Sequence, residues 1–239
     1  MHLQIPASRE FFIFIIQPIA IFFFLYVAFR ILRRNKNPIT LTLSTFYILT
    51  AIGFTLNIVM VILTLTIFKI EFLILLIYFF TIYLILLAPI FLLVFILHLL
   101  YSAPSLSKKK KWIYIIIYGT LCLIIILLPN NIILNESTNW SPIYSWGFLI
   151  VLYIFYTCSI FIPTTVNLIR LNRLFKNKDL KKKLRIFTLG IMGNLSTLYG
   201  VILYNTWHDP QYRVVWSAIS LVLVPLSGFL IYYGIGQNL

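Results

Sequence analysis

Arg170-Leu-Asn-Arg173-Leu-Phe-Lys176-Asn-Lys178-Asp179-Leu-Lys181-Lys182-Lys183-Leu-Arg185 carries eight basic residues and one acid, and it separates two long apolar stretches. The same device recurs upstream at every second connection. Arg30, Arg33, Arg34 and Lys36 follow the first apolar stretch, and Lys108 to Lys111 follow the third. These three connections hold 16 of the 19 Lys and Arg. Only Arg9, Lys69 and Arg213 fall in the alternate connections, together with four of the five acids, Glu10, Glu71, Glu136 and Asp209. Lys and Arg are costly to translocate, so loops that remain in the cytoplasm keep them. The pattern predicts an all-α integral membrane bundle of seven helices, N-terminus outside and C-terminus cytoplasmic.

Composition points the same way. The chain is 62% hydrophobic and 10% charged, whereas a soluble domain is about half apolar. The net charge of +14 suits nucleic acid only if it forms a basic face on a water-soluble surface. Here it sits in short loops beside membrane spans, so nucleic acid is excluded as a partner. The expected partner is the lipid bilayer, with basic side chains near anionic headgroups. Cys122 and Cys158 lie inside apolar segments and show neither a disulfide framework nor a CxxC pair. His2, His98 and His208 are far apart, so no metal site and no cofactor are expected. The first apolar stretch is too long for the core of a cleavable signal and ends in basic residues, so it should anchor in the plasma membrane.

About 20 helical residues cross the hydrocarbon core. On that measure the spans are residues 11–32, 39–67, 72–101, 112–128, 146–170, 185–205 and 214–233, in a single domain covering 1–239. Asn35-Lys36-Asn37-Pro38 breaks the first from the second, and the third ends at Ser102-Ala103-Pro104. In the fifth, the helical pattern runs on toward Phe175, and Asn177-Lys178-Asp179 supplies the turn. Pro129 to Ser145 is the longest outer connection and holds two sequons, at Asn135 and Asn139. The charge rule places both outside, where they are glycosylation candidates. The first three spans show no convincing repeat in the last three.

No Asp, Glu, Lys or Arg falls at the middle of a span. Ion-coupled transporters and pumps keep ionisable groups there. A retinal protein needs a Lys in its last span, and intramembrane hydrolases need clustered His and carboxylates. No catalysis is therefore expected. Gln17, Asn57, Asn167 and Asn194 are the neutral polar residues at depth. Asn194 sits among Gly190, Gly193, Thr197 and Gly200, which reads first as a close helix–helix contact. Pro18, Pro89, Pro163 and Pro225 should bend their helices. The outer ends are aromatic, as an interfacial belt requires. A ligand pocket there would draw on Glu10, Gln17, Trp146, Trp207, His208, Asp209 and Trp216.

Four pieces resemble the seven-helix N-terminal sensor region of microbial histidine kinases, over nearly the whole chain. They are Arg30-Ile-Leu-Arg33-Arg34-Asn-Lys-Asn-Pro38 leading into Thr42-Leu-Ser-Thr-Phe46, His98-Leu-Leu-Tyr101-Ser-Ala-Pro104, Asn177-Lys-Asp-Leu-Lys181-Lys-Lys-Leu-Arg185, and Ile231-Tyr232-Tyr233-Gly234-Ile235. The resemblance implies a membrane sensor that passes an outer or intramembrane stimulus to a cytoplasmic kinase or other signalling protein. That family continues into signalling domains, so this chain would be a receptor half acting through a partner, or a piece of a longer protein. Arg170, Arg173, Lys181, Lys182, Lys183 and Arg185 would form the coupling surface, and a homodimer is compatible with this role. Two alternatives stand beside it. One is a transporter of a small solute or lipid. The other is a distant relative of G-protein-coupled heptahelical receptors, although His98-Leu-Leu-Tyr101 and Val224-Pro225-Leu-Ser-Gly depart from their usual motifs.

Overall fold

The computed structural model describes residues 12–65, 70–101 and 108–238. Glu10, Lys69 and Ser102-Ala103-Pro104 lie outside the described residues. Among those described, seven helices are long and apolar enough to span a membrane. The chain is an all-α multi-pass membrane protein, and its buried side chains form one continuous core.

Helix α1 covers Gln17–Arg34 and is led in by a π-turn, Phe12–Ile16. Helix α2 covers Pro38–Leu65. Its start follows from the break read in the sequence. Asn37 caps it by accepting from the backbone N–H of Ile39 at 2.9 Å and of Thr40 at 2.8 Å. Pro38 fits the first turn, where its missing N–H costs nothing. Helix α3, Glu71–Leu100, contains Pro89 and is the most buried of the seven. Helix α4, Lys108–Leu127, is the least buried.

Helix α5 runs Trp146–Leu174 and is interrupted by a π-turn at Thr157–Phe161. Pro163 explains the interruption. Its ring clashes with the carbonyl four residues back and it donates no hydrogen bond, so the helix widens just before it. That carbonyl, of Ser159, receives a long 3.4 Å contact from the Tyr114 hydroxyl of α4. One turn along α4, Tyr118 donates to the Leu86 carbonyl of α3 at 2.8 Å, close to Pro89. Helix α4 is thus clipped to its two neighbours beside their prolines.

Helix α6 covers Lys178–Thr206, with Asn177 as its cap. Helix α7 covers Pro210–Gly234, capped by Asp209, whose carboxylate accepts from the Tyr212 N–H at 2.7 Å. A closing 3-10 turn, Gly236–Asn238, brings the Gln237 carbonyl to the Arg34 guanidinium.

Three helix starts differ from the sequence reading by a turn or more. Span seven, expected from Val214, begins at Pro210, where Asp209 caps it. Span four was expected from Trp112 and span six from Arg185, yet α4 begins at Lys108 and α6 at Lys178. Lys is a good helix former, and its long stem lets the ammonium reach water from a helical position. The 29 residues of α6 make about 43 Å of helix, longer than a hydrocarbon core of ~30 Å. Lys181, Lys182, Lys183 and Arg185 therefore lie on a helix rather than in a loop.

The connection from Pro129 to Ser145 is also more ordered than its composition suggests. Strands β1, Ile132–Ile133, and β2, Ile143–Tyr144, pair antiparallel around a 3-10 turn, Glu136–Thr138. Asn135 closes a capping box with Thr138, and Trp140 is buried. We refer to this as the hairpin end of the bundle. The opposite end, bearing Arg33, Arg34, Lys109 and Lys181, is the basic end.

Candidate ligand cavity between two groups of helices

Helix pairing is uneven. The most extensive contacts join α1 to α2, α2 to α3, and α6 to α7. Contacts of α1 with α7 and of α3 with α6 are sparse by comparison. The seven helices thus contain a three-helix group, α1–α3, and a tight pair, α6–α7.

Small residues make the α6–α7 pair tight. A Cβ at Gly190 would lie 2.7 Å from the Ile231 backbone nitrogen and 2.8 Å from the Ser227 carbonyl. A Cβ at Gly234 would lie 2.6 Å from the Phe187 nitrogen. The two backbones touch here, which only glycine permits. Gly193 is looser, meeting the Ser227 Cβ at 3.2 Å and Leu223 at 3.3 Å. At Gly200 the Trp216 ring occupies the place a Cβ would take. Gly234 is the partner that the sequence reading did not pick out. Its place beside Tyr232 and Tyr233 at the chain end gave no periodic signal.

Between the group and the pair lies a cavity of about 180 Å³. Phe24, Phe46, Phe54 and Ile85 give it an apolar wall from α1–α3, and Val201 and Trp216 line it from α6–α7. Neutral polar groups punctuate that wall. Gln17, only 4% exposed, accepts from the Asn57 side-chain amide at 3.0 Å, tying α1 to α2. Asn194, Thr197, Ser217 and Ser220 face them from the α6–α7 pair. At the hairpin end, Tyr144 hydrogen-bonds Tyr78 of α3 and Asn205 of α6. Burial pushes the Tyr144 hydroxyl above the ordinary phenol range, against the pull of those two bonds, so it stays protonated. Tyr144 and Pro142 line the cavity from the hairpin.

Of the residues the sequence reading assigned to an outer pocket, Gln17 and Trp216 line this cavity. The others described do not. Trp146 is exposed at the first turn of α5, and Trp207 stacks on Tyr212 at 5.2 Å. His208 and Asp209 belong to the α6–α7 turn. The His208 Nδ1 lies 3.0 Å from the Thr206 carbonyl, and Asp209 is spent as a cap. Turn geometry claims these polar groups before a pocket can use them. Asn194, read as bonding across a helix contact, lines the cavity instead, because its neighbours Gly190 and Gly193 already bring the helices together.

The sequence reading missed Thr50, Asn57 and Asn205 as pocket residues. Asn57 was noted as polar at depth, which is the one available signal. Arg170, Arg173, Lys182 and Arg185 are exposed, on the last turns of α5 and the first of α6. Asn139 is exposed with φ 50°, while Asn135 is half-buried as a cap. Among the described residues, no three His, Cys, Asp or Glu side chains gather as a metal-holding group. Comparison with protein families, with curated proteins and with solved structures finds no match for this chain.

Proposed function

We propose that the chain is a receptor-like sensor of the plasma membrane, N-terminus outside and basic end in the cytoplasm, with no chemistry of its own. The observation that carries this reading is the position of the cavity. It is lined by both a three-helix group and a helix pair that touch each other sparsely. A molecule bound there makes contacts to both bodies, so it has a differential affinity for their relative placements, which a population shift requires. Helix α6 runs from the cavity at Asn194 to Lys181, Lys182, Lys183 and Arg185 without a break. A shift of the pair therefore moves the basic surface that a cytoplasmic kinase or other acidic partner would meet. The resemblance to sensor regions of histidine kinases supports the same reading, and the charge asymmetry supports the orientation.

The test uses a cavity-filling substitution as a surrogate ligand. Spin labels at Lys109→Cys and Lys182→Cys, in a Cys158→Ser background in lipid nanodiscs, report the distance between the basic ends of α4 and α6. Val201→Phe, which enlarges a wall residue, should change the distance distribution. An unchanged distribution in folded protein, combined with solute flux in proteoliposomes, would sink the sensor and favour a transporter.

A further inference from the structure

We infer that the cavity between α1–α3 and α6–α7 binds a neutral, single-ring molecule carrying one hydroxyl group, of the aromatic-alcohol or phenol class. This rests on the sensor reading for its purpose, though not for its chemistry.

Charge is the first constraint. Among the described residues, the lining contains no Asp, Glu, Lys, Arg or His. An ionised ligand would lose its hydration and find no counter-charge, so the occupant is neutral. Size is the second. A cavity of about 150 Å³ holds a benzene ring, and this one measures about 180 Å³. The space takes one ring and a short substituent. The rings of Phe24, Phe46, Phe54 and Trp216 in the wall suit an aromatic body.

Hydrogen-bond accounting supplies the third constraint. Thr50 donates to the Phe46 carbonyl, Thr81 to Ile77 and Thr197 to Gly193, each at 2.9 Å. Ser217 donates to Arg213 at 2.8 Å and Ser220 to Ser217 at 3.0 Å. With their protons committed to their own helices, these hydroxyls can only accept. Donors come from elsewhere. The Trp216 indole N–H is buried and has no acceptor. The Gln17–Asn57 pair uses one amide N–H between them, which leaves others for a guest. Asn194 adds an amide with both capacities. A wall with accepting hydroxyls and unfilled N–H donors matches a group that both gives and takes one hydrogen bond. A hydroxyl does so without charge. A hydrocarbon would leave the indole N–H unsatisfied.

The experiment is fluorine NMR of three probes with the full chain in lipid nanodiscs. They are 4-fluorobenzyl alcohol, 4-fluorotoluene, which lacks the hydroxyl, and 4-fluorobenzoate, which is charged. Saturable binding of the alcohol is expected, with the toluene about tenfold weaker and the benzoate absent, the loss of one net hydrogen bond being worth about that factor. Val201→Phe should abolish the saturable component, and Trp216→Phe should narrow the gap between alcohol and toluene. Because the three probes are compared on the unaltered protein, the result does not depend on any variant folding. Equal binding of toluene, binding of benzoate, or no saturable binding overturns the assignment. Alcohol binding that leaves the spin-label distances unmoved supports the assignment while removing the sensor reading, so the two failures are distinct.

Discussion

Gly190 and Gly193 stand less than one turn apart on α6, yet a methyl group meets different obstacles at each. At Gly190 it meets backbone atoms of α7, which cannot yield without moving the helix. At Gly193 it meets side-chain atoms at 3.2 and 3.3 Å, a few tenths of an ångström inside ordinary contact, so the neighbours need give only slightly. Gly190→Ala should therefore cost about 1–3 kcal/mol, the range for overpacking, while Gly193→Ala stays within about 0.5 kcal/mol. Denaturant titration of both variants in detergent micelles checks this, and equal losses would refute it. His208 offers a second case. Burial, then the neighbouring Arg213, lowers its pKa, with the Thr206 carbonyl pulling the other way. A free imidazole titrates near 6.5, so below about that pH the unfolded chain takes a proton that the folded turn resists. Stability is complete above that value and falls as the pH drops toward the folded pKa. Thermal melts from pH 7.5 to 5 should show a decline in the parent that His208→Gln lacks.

Among the elements, α4 depends most on a few contacts. It is the least buried helix and carries exposed Ile113, Ile116, Ile117 and Ile124 on its outer face. Lipid is as apolar as the core, so burial alone does not hold a helix in place there. The Tyr118 hydroxyl bond to Leu86 and the longer Tyr114 contact to Ser159 supply direction. Removing both with Tyr114→Phe and Tyr118→Phe should cost about 1–2 kcal/mol, at about 1 kcal/mol or less for each bond in a membrane. Proteolysis or hydrogen exchange should show the loosening confined to α4. Loosening spread evenly over all seven helices would argue that α4 is held by packing instead. The π-turn of α5 teaches a related lesson. Pro163 announces a distortion in the sequence, but whether it becomes a kink or a widened turn depends on which neighbour satisfies the freed carbonyl.

For the whole molecule, the charge split makes the topology testable in one experiment. Ser137 lies in the hairpin connection and Lys109 at the start of α4, at opposite ends of the bundle. With Cys158 replaced by Ser, a membrane-impermeant maleimide on intact cells should label Ser137→Cys and spare Lys109→Cys. The reverse pattern would invert the proposed orientation and move the cavity-lining hairpin into the cytoplasm. Tyr47 links the two helix groups directly, donating to the Gly228 carbonyl at 2.9 Å from a fully buried position. Tyr47→Phe should loosen α7 from α2 by about 1 kcal/mol. In the spin-label assay it should broaden the distance distribution without a cavity-filling substitution.

The number of helices, their approximate ends and their alternation of basic and non-basic connections were legible from residues alone. Hydrophobic length and charge placement are local properties, and a bilayer acts on each segment separately. Asn37 stood in the break read before the second span, whereas Asn177 was read as a turn and Asp209 as a pocket residue, although each caps a helix through its own next few residues. The pairing of helices was not legible. A soluble helix shows its buried face by a polar stripe on the other, whereas α2 and α3 are apolar all round because their lipid-facing side needs no polarity. The partner of each face was therefore decided in the tertiary structure. So was the separation of Gly190 from Gly193, which depends on the α7 backbone at Ser227 and Ile231. The cavity belongs to the same level. Gln17, Asn57, Asn194 and Trp216 come from four different helices, and only the packing of a three-helix group against a pair makes one site of them.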